Sequence, residues 1–149
     1  MSTSWSTHLR YDHGGWNTRP DGEGWQPTFP NATYLIPRAD KDWFDPRTAH
    51  RRSVDPGRLR GQLVYADSVT PVLDRAVLWE DSYRIDGNLV LESAPGHTPG
   101  SSLLRLTSGT DRAVFVGDLL HSAVQILAPA HSSCFCEDPE SAAALDSAF

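Results

Sequence analysis

A chain of 149 residues is long enough for one domain with its own core, and 39% apolar against 21% charged residues excludes wholesale disorder. The net charge of -6 excludes a nonspecific nucleic-acid binder, which needs a basic face. No apolar run is long enough to span a bilayer and residues 1–7 are polar apart from Trp5, so no membrane partner and no signal peptide are read and a cytoplasmic location is expected.

Along the chain, Trp5, Ser6 and Thr7 read as the end of a strand that feeds a loop, with no strand before it. The loop is Thr7-His8-Leu9-Arg10-Tyr11-Asp12-His13-Gly14-Gly15. Residues 17–30 are turn-rich, with Arg19-Pro20-Asp21-Gly22-Glu23-Gly24 at their centre. Trp16, Trp25 and Phe29 interleave with them, so the rings either line a pocket or pin the loop to the body. Residues 32–36 predict a strand. Residues 38–44 predict a helix stopped by Asp45-Pro46, with Asp40, Asp42 and Asp45 as a solvated face. Residues 49–57, with His50, read as a polar surface loop. Leu59, Leu63, Val64 and Val69 predict one amphipathic helix over 59–73.

After that the periodicity changes. Residues 76–79, 88–92, 101–106 and 113–116 predict strands, the last of them buried, with hairpin turns at Asp86-Gly87-Asn88 and Ser108-Gly109-Thr110. Asp138 as N-cap and Pro139 in the first position open a helix that runs to the end of the chain. Cys134 and Cys136 are one residue apart, too close for an unstrained disulfide, and read as buried reduced thiols. The order gives an α+β fold, a layered sheet with helices outside. Both ends look abrupt, as in a piece of a larger domain.

His8, Asp12 and His13 bring two imidazoles and a carboxylate together just before two glycines. Two later segments are of the same kind. Ala94-Pro95-Gly96-His97-Thr98-Pro99-Gly100-Ser101 puts a histidine on a tight loop after a strand, and Val116-Gly117-Asp118 puts a carboxylate just past another. Strand ends fix loop roots, so sites collect there. Each residue alone has a plainer explanation, His97 capping a turn and Asp118 starting a helix. Together the five form an oxygen-and-nitrogen donor set without thiolate, suited to zinc, manganese or iron. Thr98 and Ser102 lack the relay that a nucleophilic hydroxyl needs.

His8-x-x-x-Asp12-His13-Gly14-Gly15, Gly96-His97-Thr98-Pro99-Gly100 and Gly117-Asp118, in that order, resemble the metallo-β-lactamase superfamily. Gly15 to Arg19 and Pro27 to Ala32 are similar to its branch of quorum-quenching lactonases and organophosphate hydrolases. The resemblance implies a partial αβ/βα sandwich of four layers, a single partial domain over 1–149 with an incomplete N-terminal half and missing C-terminal elements. It implies one or two divalent ions, zinc first. His8 and His97 then belong to a first ion, Asp12 and His13 to a second, and Asp118 bridges them. Asp12 is also the expected proton acceptor in catalysis.

Arg10 falls where the family motif His-x-His-x-Asp-His has its second histidine, and a guanidinium does not coordinate metal under ordinary conditions. The family's last histidine has no counterpart before Phe149. His121 is weighed as a pocket residue rather than a ligand. The expected function is a metal-dependent hydrolase acting on a small-molecule ester, lactone, thioester or phosphoester. The alternative is an inactive truncated fragment whose exposed sheet edges favour a homo-oligomer. A metal-free binding module built on the Trp16 and Trp25 loop is a third class.

Overall fold

The computed structural model describes residues 2–48 and 63–146. The basic segment with His50 and the first residues of the helix expected over 59–73 lie outside the described residues, as do residues 147–149 of the helix expected to run to the end of the chain. The chain divides into two compact units, Met1–Trp79 and Glu80–Phe149.

The first unit is built on a parallel sheet of order β1-β4-β5, with β1 at Ser2–Trp5, β4 at Ala32–Pro37 and β5 at Ala76–Trp79. Central β4, Ala-Thr-Tyr-Leu-Ile-Pro, is covered on both faces, which is why it reads as a nearly continuous apolar run. Tyr34 and Ile36 pack with Leu9, Ala32, Tyr65, Val69 and Val72 into one buried cluster. The expected strand end at Trp5 is thus the end of a short strand, paired with β4.

Residues 17–30 differ from the expected loop. They hold an antiparallel hairpin, β2 (Thr18–Asp21) and β3 (Gly24–Pro27), around the Gly22 turn. Tyr34 anchors it from below, its hydroxyl donating to the Asn17 carbonyl at 3.1 Å and accepting the Phe29 N–H at 3.0 Å. Tyrosine, not the tryptophans, pins this segment: Trp16, Trp25 and Phe29 are exposed.

Helix α2 (Arg38–Phe44) follows β4 and ends at Asp45-Pro46 as expected, because the residue before a proline avoids the helical region. Its acidic residues are not one solvated face. Asp42 is exposed, but Asp40 and Asp45 are buried. Each is stabilised by polar partners: Asp40 accepts a backbone N–H, and Asp45 accepts Arg47 and Tyr65. The segment expected as one amphipathic helix is a π-turn at Tyr65–Val69 and a 3-10 helix at Thr70–Arg75. Pro71 lacks the N–H that a continuing α-helix would use. Tyr65, Val69 and Val72 form the buried face of this segment, and Leu63 is exposed.

The second unit is an antiparallel meander, β6-β7-β8-β9, at Ser82–Arg84, Leu89–Ser93, Ser102–Ser108 and Asp111–Phe115. Strand β6 was not expected. It is short, and its partner signal is the Asp86 turn, whose Oδ1 accepts the Asn88 and Leu89 N–H groups. Strand β9 was expected to be buried and is exposed along its whole length, with Val114 and Phe115 open to solvent, because it is the last strand of this sheet. Two helices follow, α3 (Val124–Leu127) and α4 (Pro139–Asp146). Asp138 caps α4 as expected, accepting the Ser141 N–H at 3.0 Å and the Ser141 hydroxyl at 2.7 Å. Among the described residues, no helix is long and apolar enough to cross a membrane.

Candidate metal centre

In the first unit the parallel pairing sets the geometry. Trp5 lies opposite Leu35, so β1 and β4 end at the same edge of the sheet. The loop after β1 therefore runs beside the first turn of α2, the end of a parallel sheet where ligands bind in open α/β folds. Asp40 on that turn accepts the Leu9 N–H at 2.9 Å, a fully buried bond. It fixes the backbone between His8 and Arg10. His8 is completely buried and its Nδ1 lies 3.1 Å from the Thr7 hydroxyl. The Arg10 carbonyl accepts the N–H groups of His13 and Gly14 at 3.0 and 2.8 Å, which starts α1 (Tyr11–Gly14).

That turn folds His13 back over His8, with ring centroids 4.1 Å apart. His13 Nε2 lies 3.7 Å from Asp12 Oδ2, and the Asp12 side chain is about half exposed. The three sequence-expected donors of this unit are therefore neighbours. Arg10 is the N-terminal residue of the turn and contributes its carbonyl to it.

In the second unit the antiparallel register does the equivalent work. Ser93 pairs with Ser102 and Leu104 with Phe115, so the β7–β8 loop and the exit of β9 share one end of the sheet. His97 sits at the tip of that loop, only 2% exposed. Thr98 and Ser101 hold the loop together: the Ser101 hydroxyl lies 2.9 Å from both the Thr98 N–H and the Thr98 hydroxyl. These two hydroxyls shape the loop. Gly96 has φ +148°, and a Cβ there would lie 2.5 Å from the Ala142 nitrogen of α4. Only glycine allows that approach. The loop is closed from the other side by Glu137 N–H to the His97 carbonyl at 3.0 Å and Asp138 N–H to the Gly96 carbonyl at 2.9 Å.

Asp118 follows Gly117, whose φ of +56° turns the chain sharply at the end of β9. Its Oδ2 lies 3.5 Å from His97 Nε2 and also 3.5 Å from His121 Nε2. The His97 and His121 rings are 4.8 Å apart between centroids. His121, expected as a pocket residue, has its ring nitrogen beside Asp118. One donor atom from each of His97, Asp118 and His121 lies within 4.8 Å of the other two.

Two supporting residues escaped the sequence. Asp40 looked like surface charge. Cys136, expected as a plain buried thiol, places Sγ 3.8 Å from His97 Nδ1, while Cys134 is exposed; both are free thiols. The signal for Cys136 was its position just before Glu137-Asp138, which grip the His97 loop.

Histidines and carboxylates rooted at sheet ends, without thiolate among the converging donors, define a chain suited to divalent metal ions on an α+β scaffold. The Metallo-beta-lactamase superfamily pattern matches residues 6–148, and the chain belongs to that superfamily.

Solved structures agree on the fold. A probable metal-dependent hydrolase from Staphylococcus aureus matches with a TM-score of 0.80 at 16% identity, over 98% of this chain and 48% of that one. The hydrolase AbOPH, of the beta lactamase superfamily, matches with a TM-score of 0.79 at 24% identity, over 98% and 50%. AidC, a dizinc quorum-quenching lactonase in complex with a product N-hexnoyl-L-homoserine, matches with a TM-score of 0.80 at 22% identity, over 100% and 52%. The chain spans about half the length of these structures, a partial form of their fold. No curated protein matches it.

Proposed function

We propose that this chain is a metal-dependent hydrolase of small-molecule esters, lactones, thioesters or phosphoesters, with zinc as the first-choice ion and manganese or iron as alternatives. The observation that carries the reading is buried His97, held on a rigid loop with its Nε2 turned toward the Asp118 carboxylate. Nitrogen and oxygen donors of this kind suit such ions. His8, Asp12 and His13 in the first unit and His97 and Asp118 in the second are the proposed ligands.

A divalent ion held there supplies Lewis-acid polarisation of the scissile carbonyl or phosphoryl group and a water nucleophile at neutral pH. The protein's own part is positional and acid–base. Thr7, beside Nδ1 of His8 and within 3.5 Å of Nδ1 of His13, orients both imidazoles. Asp12, half exposed and next to His13, is the proposed proton acceptor.

The test is metal analysis of protein purified without chelator, followed by assays on a panel of the four substrate classes with and without added zinc. Bound metal with chelator-sensitive hydrolysis supports the reading. Protein that neither retains nor takes up zinc, manganese or iron overturns it. Arg10 favours a second reading, a metal-binding chain that is catalytically silent; stoichiometric metal without turnover of any panel member would select it.

A further inference from the structure

We infer that His121 is itself a metal ligand, so that the second unit carries a complete three-donor site, His97-Asp118-His121. This rests on the metal-dependent reading and adds a ligand to it. Three observations carry the inference.

The first is spacing. Both histidine Nε2 atoms stand 3.5 Å from the same Asp118 oxygen. Good N–H···O bonds to a carboxylate are about 2.7–3.2 Å long. Donors at about 2.0–2.2 Å from a tetrahedral zinc are about 3.3–3.6 Å apart, so the observed separations match the edges of such a coordination shell better than a direct hydrogen bond.

The second is orientation. His97 Nδ1 faces Cys136 Sγ, which leaves Nε2 as the nitrogen directed at Asp118. A metal-binding histidine with its other ring nitrogen held by a neighbour is the usual arrangement, since the neighbour sets the tautomer and the ring plane.

The third is that His121 is placed rather than dangling. Gln125 of α3, buried to 3% exposure, accepts the His121 N–H at 2.7 Å and the Ser122 N–H at 3.1 Å through Oε1. Those bonds fix the backbone three residues after Asp118. The His121 side chain keeps 25% exposure, enough for a small molecule to reach the site. With three protein donors, a tetrahedral ion keeps one position for water or substrate, the pattern of catalytic rather than structural zinc.

The experiment is titration of cobalt(II) into the metal-free protein, read by visible absorption and by equilibrium dialysis, for the unaltered chain and for His121→Ala. The expected result is an ion whose affinity falls by about 100-fold or more in His121→Ala, because losing a ligand costs at least as much as losing its supporting partner. Its absorption bands should shift as well. Wild-type affinity and spectrum in His121→Ala overturn the inference while leaving the hydrolase reading intact. No bound ion in the unaltered chain overturns both. A second measurement needs no variant: in histidine-selective 1H–15N spectra of the unaltered protein, zinc should shift the Nε2 resonance of His121 with that of His97. A His121 resonance that ignores zinc while His97 responds overturns the ligand role.

Discussion

The carboxylate of Asp40 accepts the backbone N–H of Leu9 at 2.9 Å, with both groups buried. One acidic residue on α2 thus fixes the loop that carries His8. Removing the acceptor would leave the Leu9 N–H buried with its bond broken, which costs about 1–3 kcal/mol. Asp40→Ala should lower the unfolding free energy of the chain by about that amount in urea denaturation. It should also weaken the metal binding proposed for His8 and His13. Asp40→Asn keeps an acceptor oxygen and should cost less. Equal stability of the two variants would mean that the Leu9 bond contributes little.

Asp45 predicts an acid limit to stability. Its carboxylate receives Arg47 Nη2 at 2.7 Å, the Arg47 backbone N–H at 2.9 Å and the Tyr65 hydroxyl at 3.2 Å. The Arg47 guanidinium holds the acid well below the ordinary carboxylate range and outweighs the opposing effect of burial. A carboxyl lowered in the folded state stabilises the fold fully above its unfolded pKa, about 3.9, and that contribution is lost as pH falls through the lower folded value. Tyr65 acts at the other end. Burial raises its pKa, so its contribution is present below about pH 10 and is lost as pH rises through the folded value. Unfolding midpoints should therefore be flat from about pH 5 to 9 with respect to these two groups. Asp45→Asn should flatten the part of the acid decline due to this network and cost about 2–3 kcal/mol at neutral pH. An unchanged acid decline in that variant would assign it to other carboxylates.

Much of this was legible before the structure. The apolar runs 32–36, 76–79 and 101–106 are strands, and Asp138-Pro139 opens a helix, because local propensity and burial agree there. That His97 and Asp118 sit on loops after strands was legible from the glycines and prolines that bound those loops, and the structure places them there. What failed was burial of polar groups. Asp40 and Asp45 look solvated in any one-dimensional pattern, since only tertiary partners can make a carboxylate stable inside. Strand β9 failed in the opposite sense. Ala-Val-Phe-Val reads as core, but Ala113, Val114 and Phe115 lie exposed on the last strand of the sheet. The approach of the His121 ring to Asp118 was not legible because the backbone turn that brings them together leaves no periodic trace in the sequence.

Gly96 should tolerate no side chain. Its φ of +148° is unfavourable for any other residue, and an added Cβ would meet the Ala142 nitrogen at 2.5 Å and its Cα at 2.6 Å. Strain of this kind costs about 1–3 kcal/mol, with a similar amount for forcing a packed contact apart. Gly96→Ala should lower the thermal midpoint strongly and reduce zinc binding, since the His97 loop must leave α4. Ala142→Gly should not rescue it, because the nearest atoms are backbone. A full rescue would place the conflict at the Ala142 methyl instead.

Arg10→His gives the most direct test of the residue that departs from the family motif. The Arg10 side chain makes no cap bond to α1, and the carbonyl that accepts His13 and Gly14 is unaffected by the substitution. Arg10 is half-buried, so urea denaturation of the variant should be run beside the binding measurement to show that the fold is kept. Replacing a permanent cation by a neutral imidazole removes repulsion toward a divalent ion and adds a nitrogen donor. Zinc affinity, measured by competition with a chromophoric chelator, should rise by about tenfold or more, since one added or lost interaction at a metal site is worth that much. Unchanged affinity would mean that position 10 adds no donor and that the arginine's charge does not limit binding.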